Sequence, residues 1–333
     1  KTIATLACSV NSIQDKWPNE FLGLMAAGMR IGHFTRLTCF LENHLIGDPT
    51  LRFAPTVDAG FDINQALILK TQDIAFWKKQ LASPLADMQA LALRELSDAN
   101  YKGMVSLLED SYFSSPSFMV RLEALRLLAL NYPSQSINVM KAALNDSYEL
   151  IRRYAAEYVE KNGSPELLSA WMAGYLQRSH EKRFRFKVTG GLDAFPYADT
   201  KAELEKQANR LTLFDRSHVD ALLKQLPRNE QGMARDIETI TNPESKPSHV
   251  RRDLRIFRNH PVGGKPLEMI IDFVKDDSRP TDQRLIAAEV LGWYNLYHNK
   301  ASIVSALKDI DTKDKVLMNE IRKSIARLEG KNR

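Results

Sequence analysis

Four stretches of this chain repeat one another. MQALALREL (88–96), VRLEALRLLAL (120–130), IRRYAAEYV (151–159) and QRLIAAEVLG (283–292) each set a polar or basic residue three positions before an Ala, with apolar residues one turn further on. With the polar position taken as Gln89, Arg121, Arg152 and Arg185, the offsets are 31 to 33 residues. A step of 33 carried on from Arg185 reaches His218, Arg251 and Arg284, with the weakest matches at 218 and 251. Upstream of these stretches lie shorter amphipathic ones: IAFWKKQLA, YKGMVSLLED, SINVMKAALND, PELLSAWMAGYL, PLEMIIDFVKDD and ASIVSALKDI. The connections SSPS, NDS and DDSRP carry capping and helix-breaking residues. The pattern is that of helical hairpins in series. No hairpin of this size can bury its apolar face alone, so neighbours must stack.

The fold class expected is therefore mostly α: residues 62–330 as an α-α superhelix, a right-handed solenoid with one layer of helices on its concave side. The small Ala in each second helix lets neighbours approach closely. The pattern resembles HEAT repeats of the short type, most specifically at 74–195 and 265–328, and loosely at 196–262. That loose zone, with PYADTKAELEKQANRLTLFDRS, PRNEQGMARD and TNPESKPSHVRR, is expected to hold longer loops or an irregular repeat. Second-helix side chains on the concave side, Arg121, Arg152, Arg153, Arg185, Arg251 and Arg284, are the candidate contacts for a protein or peptide partner.

The first 53 residues follow other rules. TIATLACSV (2–10) suits a buried strand and NSIQDKWPN a loop, while EFLGLMAAGMRIGHFTRLTCFLENHL spaces Phe21, Leu24, Met25, Met29, Phe34, Leu37 and Leu41 as a helix would. The reading is one strand and one or two helices ending at Gly47. A single strand cannot pair its own backbone, so 1–53 is expected to be a small α/β remnant, the end of a larger domain, joined by a linker at 54–61. LIGDPTLRF (45–53) lacks the spacing of a phosphate-binding loop. Gly47, Asp48 and Pro49 suit a helix stop and a turn in which Asp bonds its own backbone.

The order of ATLACSVNSIQDKW, a helical stretch and then GDPTL (47–51) resembles the closing portion of gingipain-like cysteine peptidases, whose caspase-like domain ends in such a sequence. In that family a His and a Cys after core strands do the chemistry, both upstream of the GDP sequence. Cys8 is only about 40 residues before Gly47 and resembles the later strand. His33 and His44 fall in the helical stretch. The resemblance therefore implies a peptidase-like tail with no catalytic dyad in this chain, which is not expected to be an enzyme. It also implies a larger parent protein, continuing upstream of Lys1, and a location outside the cytoplasm: secreted, periplasmic or at the cell surface. An alternative is that the chain is the regulatory region of an active cysteine peptidase whose His and Cys lie upstream.

Charge supports a further alternative, a nucleic-acid partner. The net charge is +5 and the pI about 9.0. Segment 178–187 interleaves Arg178, Lys182, Arg183, Arg185 and Lys187 with Phe184 and Phe186, and 250–258 adds Arg251, Arg252, Arg255 and Arg258. Glu181 and Asp253 dilute both, so solvated helix faces are the favoured reading. Two cysteines, Cys8 and Cys39, make no disulfide framework, and the scattered histidines have no metal-binding spacing. No cofactor or metal is expected. DIDTKD (309–314) reads as a helix-hairpin turn, not a calcium loop. Trp17, Trp77, Trp171 and Trp293 are expected to pack between repeats. No apolar run approaches the roughly 18 to 20 residues that cross a bilayer.

Overall fold

The computed structural model describes residues 3–8, 21–38, 43–178, 180–209 and 213–330. Trp17, Cys39 and Leu41 lie outside them. The chain forms two compact units, Lys1–Leu127 and Leu128–Asn332.

In the first unit, β1 (Ala4–Cys8) pairs antiparallel with β2 (Asn43–Gly47), Ala4 facing Gly47 and Cys8 facing Asn43. The expected lone strand thus has a partner, and the residues read as a helix ending at Gly47 are that partner. Between them, among the described residues, the helical spacing yields a 3-10 turn at Leu22–Ala27 and α1 (His33–Leu37). Gly28, at φ 80°, ends the first, and pairing with β1 supplies backbone bonds that a frayed helix end would lack. Gly47 is required by both its φ of 117° and its closeness to β1, since a Cβ there would lie 2.3 Å from the Ile3 carbonyl oxygen. The turn that follows is the one the sequence suggests: Asp48 Oδ1 accepts from the Thr50 amide at 2.8 Å and the Thr50 hydroxyl at 2.7 Å. It is held from outside as well, because the Gly32 and Ile31 amides donate to the carbonyls of Pro49 and Leu51.

Helices follow. Asp62 caps α2 (Ile63–Leu69) and Asp73 caps α3 (Ile74–Gln80), each accepting from backbone amides of the first turn. Then come α4 (Ala86–Asp98), α5 (Met104–Ser114) and α6 (Phe118–Asn131), within which the boundary of the two units falls. α3 packs on α4, and so does the 3-10 turn of the remnant. Phe21, Phe34 and Trp77 are among the largest fully buried side chains. Arg94 of α4 is buried and grips Glu123 of α6 with both arms of its guanidinium, at 2.7 and 2.8 Å.

The second unit continues with α7 (Ile137–Ala143), α8 (Glu149–Asn162), α9 (Leu168–Gln177), α10 (Lys182–Gly190) and α11 (Tyr197–Ala208). After these come α12 (Leu213–Thr241), α13 (Pro247–Asn259), α14 (Lys265–Lys275), α15 (Thr281–Leu291), α16 (Lys300–Lys308) and α17 (Lys315–Glu329). Consecutive partners pack as hairpins: α7 with α8, α9 with α10, α14 with α15, α16 with α17. Second helices also pack on second helices, α8 on α10, α13 on α15 and α15 on α17, while α9 touches α11 and α14 touches α16. Helices of the second unit therefore pack on alternate helices as well as on their hairpin partners.

The loose zone 196–262 is almost wholly helical. α12 runs for 29 residues through Pro227 and serves two hairpins. Its first half carries His218 against Arg185 of α10, and its second half sends Ile237 and Ile240 into the apolar core built by α13, α14, α15 and α17. The irregularity is thus a lost turn, with the second helix of one hairpin running straight into the first helix of the next. DIDTKD is a hairpin turn, with Asp314 capping α17. Trp77 and Trp171 are buried, whereas Trp293 is 46% exposed under the Arg327 guanidinium. Its expected burial between repeats is corrected by its place in the turn after α15.

Candidate functional site

The recurring residues clamp their own hairpins. The Gln89 side-chain amide donates to the Ser83 carbonyl at 2.7 Å, Arg121 to the Ser115 carbonyl at 3.1 Å and Arg152 to the Asp146 carbonyl at 2.5 Å. Each reaches back to the turn between the helices of its hairpin, where carbonyls have no intrahelical partner. Arg284 does the same with the Val274 carbonyl at 2.9 Å and pairs with Asp277 at 2.7 Å. Arg152, Arg153 and Arg284 are buried. Arg152 also forks onto Glu181 at 3.0 and 2.6 Å, tying α8 to the start of α10, and Arg153 lies 3.6 Å from Glu149. Arg185 meets His218 at 3.4 Å, and Arg251 meets Asp282 at 2.7 Å. Arg121, Arg185 and Arg251 are half-buried.

The basic segments are interleaved with acids in the same way. Arg178 pairs with Glu181, Lys187 with Glu157, Arg252 with Asp253 and Arg258 with Glu289. Burial opposes ionisation of Glu157, yet the ammoniums of Lys161 and Lys187 hold its carboxyl down at about 2.

At the end of β1, Cys8 is an exposed thiol outside any disulfide, and its Sγ donates to Asn43 Oδ1 at 3.0 Å. His44 is exposed on β2. Burial lowers the pKa of the His33 imidazole, and Arg36 and Arg30 lower it further. Among the described residues no group of three His, Cys, Asp or Glu could hold a metal ion, and no helix is long and apolar enough to cross a membrane.

Titratable groups gather around open space where the hairpin rhythm breaks. A cleft of about 310 Å³ in the second unit is bounded by Glu160 near the end of α8, Gly191 after α10, Asp193 on the 3-10 turn Leu192–Ala194, and Asp236 of α12. Arg228 of α12 and His260, just after α13, complete its polar rim, and Ile256 and Phe257 form an apolar wall. Gly191 makes room, because a Cβ there would lie 2.6 Å from the Glu160 side chain. His260 Nδ1 lies 3.5 Å from Glu160 Oε1. This hydrogen bond, with the charges of Glu160 and Asp193, raises the imidazole pKa against the effect of burial. Burial raises the Asp193 carboxyl, opposed by a hydrogen bond from Asn229 and reinforced by Glu160 and Glu230. Burial also raises Asp236, with the Asp253 charge adding to it. Carboxylates crowded in this way favour an incoming cation, which would relieve their mutual repulsion.

The sequence signal for this cleft is the composition of the loose zone, which contains Arg228, Asp236 and His260. Glu160 and Asp193 sit outside it, in stretches that read as ordinary repeat. Compared with protein-family models and with curated proteins, the chain matches none.

Proposed function

We propose that this chain is a docking scaffold of paired helices, the C-terminal part of a larger gingipain-like protein, and that it captures a protein or peptide partner by a basic side chain held in the α12 cleft. The packed helix hairpins support the short HEAT-type reading, and the GDPTL turn supports the peptidase-tail reading. On the latter rests an extracytoplasmic location. The observation that carries the docking reading is the cleft itself. Arg152 and Arg284 are spent on clamping, whereas Glu160, Asp193 and Asp236 converge on open space beside an apolar wall. A Lys or Arg side chain would lay its aliphatic stem on Ile256 and Phe257 and its charge among the carboxylates.

The test is binding of short acetylated peptides, differing only in a central Lys, Arg or Glu, to the whole chain. The Lys and Arg peptides are expected to bind in a salt-sensitive way and the Glu peptide not at all. The pair Asp193→Lys and Asp236→Lys should abolish that binding with thermal unfolding intact. Undiminished binding to the doubly substituted chain would overturn the reading.

A further inference from the structure

We propose that a second cleft in Leu128–Asn332, centred on Lys300, binds a small carboxylate with an apolar tail. This cleft, of about 330 Å³, opens among Asn131 and Tyr132 at the end of α6, the first turns of α16, and the last turn of α17 with Gly330. The accessible aliphatic surface of its wall is Ala301 and the edge of Val304, with the core residue Leu328 behind them.

Two polar groups stand at that wall, the Lys300 ammonium and the Tyr132 hydroxyl, each on a half-buried residue and within reach of water. Among the described residues, neither Lys300 Nζ nor the Tyr132 hydroxyl has a hydrogen-bond or ion-pair partner. The carboxylate at the rim, Glu329, is committed to Lys308 at 2.7 Å. Burial pushes the Lys300 ammonium pKa down and the Tyr132 phenol pKa up, so each group lies in a poorly solvated place. Other cations of the second unit, among them Arg152, Lys187 and Arg258, sit against carboxylates. A half-buried ammonium without one costs free energy that an incoming anion would recover. One positive charge and one hydroxyl donor match a single carboxylate, and the aliphatic wall matches a short hydrocarbon tail rather than a phosphate or a sugar.

The probe is hexanoate, added at millimolar concentration to the whole chain, with hexanol as the control for tail burial alone. Hexanoate is expected to give saturable ligand-detected NMR signals and a concentration-dependent rise in Tm, at least tenfold stronger than hexanol. Lys300→Met should reduce hexanoate affinity at least tenfold while leaving the unliganded Tm at or above that of the parent, because it removes a poorly solvated charge. Lys300→Gln offers the same loss in a polar side chain, and Tyr132→Phe should weaken binding by a few fold. Equal binding of hexanol, no saturable hexanoate binding, or undiminished affinity in both Lys300 variants would each overturn the proposal. This site shares no residue with the α12 cleft, so neither result bears on the other.

Discussion

The stretch from α14 to α17 and the stretch from α11 to α13 belong to the same run of helices, yet they solve the same packing problem differently. In the first, short turns separate the helices, Arg284 clamps its hairpin, and the apolar residues close into one core in which Ile270, Ala287, Val290 and Ile321 are fully or nearly fully buried. In the second, α12 runs on through Pro227 with no turn, and a cleft beside it is lined by Glu160, Asp193, Asp236 and His260. Loss of a turn converts stability into an opening. In the regular hairpins Arg152 and Arg284 are tied to turn carbonyls and carboxylates, whereas at the interruption Glu160, Asp193 and Asp236 are partly buried around an open cleft.

The contrast can be broken most severely at the clamps. Arg152→Ala leaves Glu181 without its buried partner and the Asp146 carbonyl without a donor, and is expected to cost about 3–5 kcal/mol in chemical denaturation. The apolar double variant Arg152→Met with Glu181→Leu should recover much of that loss. A cost below about 1 kcal/mol for Arg152→Ala would mean the clamp is solvated and weak. Next in size is a pair of isoleucines. Ile270→Ala in the closed core should cost about 2–5 kcal/mol. Ile256→Ala on the cleft wall, where Ile256 is 37% exposed, should cost under about 1 kcal/mol. Equal costs would erase the distinction between core and cleft.

Pro227 sharpens the comparison in the opposite direction. Its ring removes one backbone bond from α12, so Pro227→Ala is expected to stabilise the chain by about 1–3 kcal/mol, read as a higher Tm. A fall in Tm would show that the proline is needed for the two halves of α12 to reach their separate hairpins.

The smallest expected effect is in pH dependence, where Glu157 of the regular hairpin helix α8 and the cleft aspartates Asp193 and Asp236 have opposite signs. Glu157, held at about 2 by Lys161 and Lys187, contributes stability that is present above the unfolded carboxylate range and lost as pH falls through that range toward 2. Asp193 and Asp236 are raised, so their contribution is full below the ordinary aspartate range and is lost as pH rises through their folded pKa values. Asp193→Asn with Asp236→Asn should therefore raise Tm at neutral pH, with the gain vanishing as pH falls below about 3, under the ordinary aspartate range. Glu157→Gln should lower Tm at neutral pH, with the loss vanishing near pH 2, where its folded pKa lies. A gain from the aspartate pair that persists unchanged in acid would refute their raised pKa values.

Much of the helical architecture is legible in the recurrence. Its marker residue is the fourth residue of α4, α6, α8, α10 and α15, the fifth of α13 and the sixth of α12, so the weak matches at 218 and 251 are those where the helix start has drifted. What those markers do is not legible. An Arg on a second helix reads equally as a surface contact or as a clamp, and only the position of the preceding turn decides. β2 is hidden for a similar reason: Asn43–Gly47 has no strand pattern of its own and becomes a strand because β1 lies beside it.

By itself, then, the amino-acid sequence determined the hairpin series, its period, its capping residues and the Asx turn at Asp48. These rest on contacts within a few residues or on a spacing that repeats. Tertiary structure alone decided the pairing of β1 with β2, the fusion that makes α12, and the meeting of Glu160, Asp193, Asp236 and His260. Each of those depends on groups far apart in the chain, whose encounter is set by how helices stack and which no local pattern encodes.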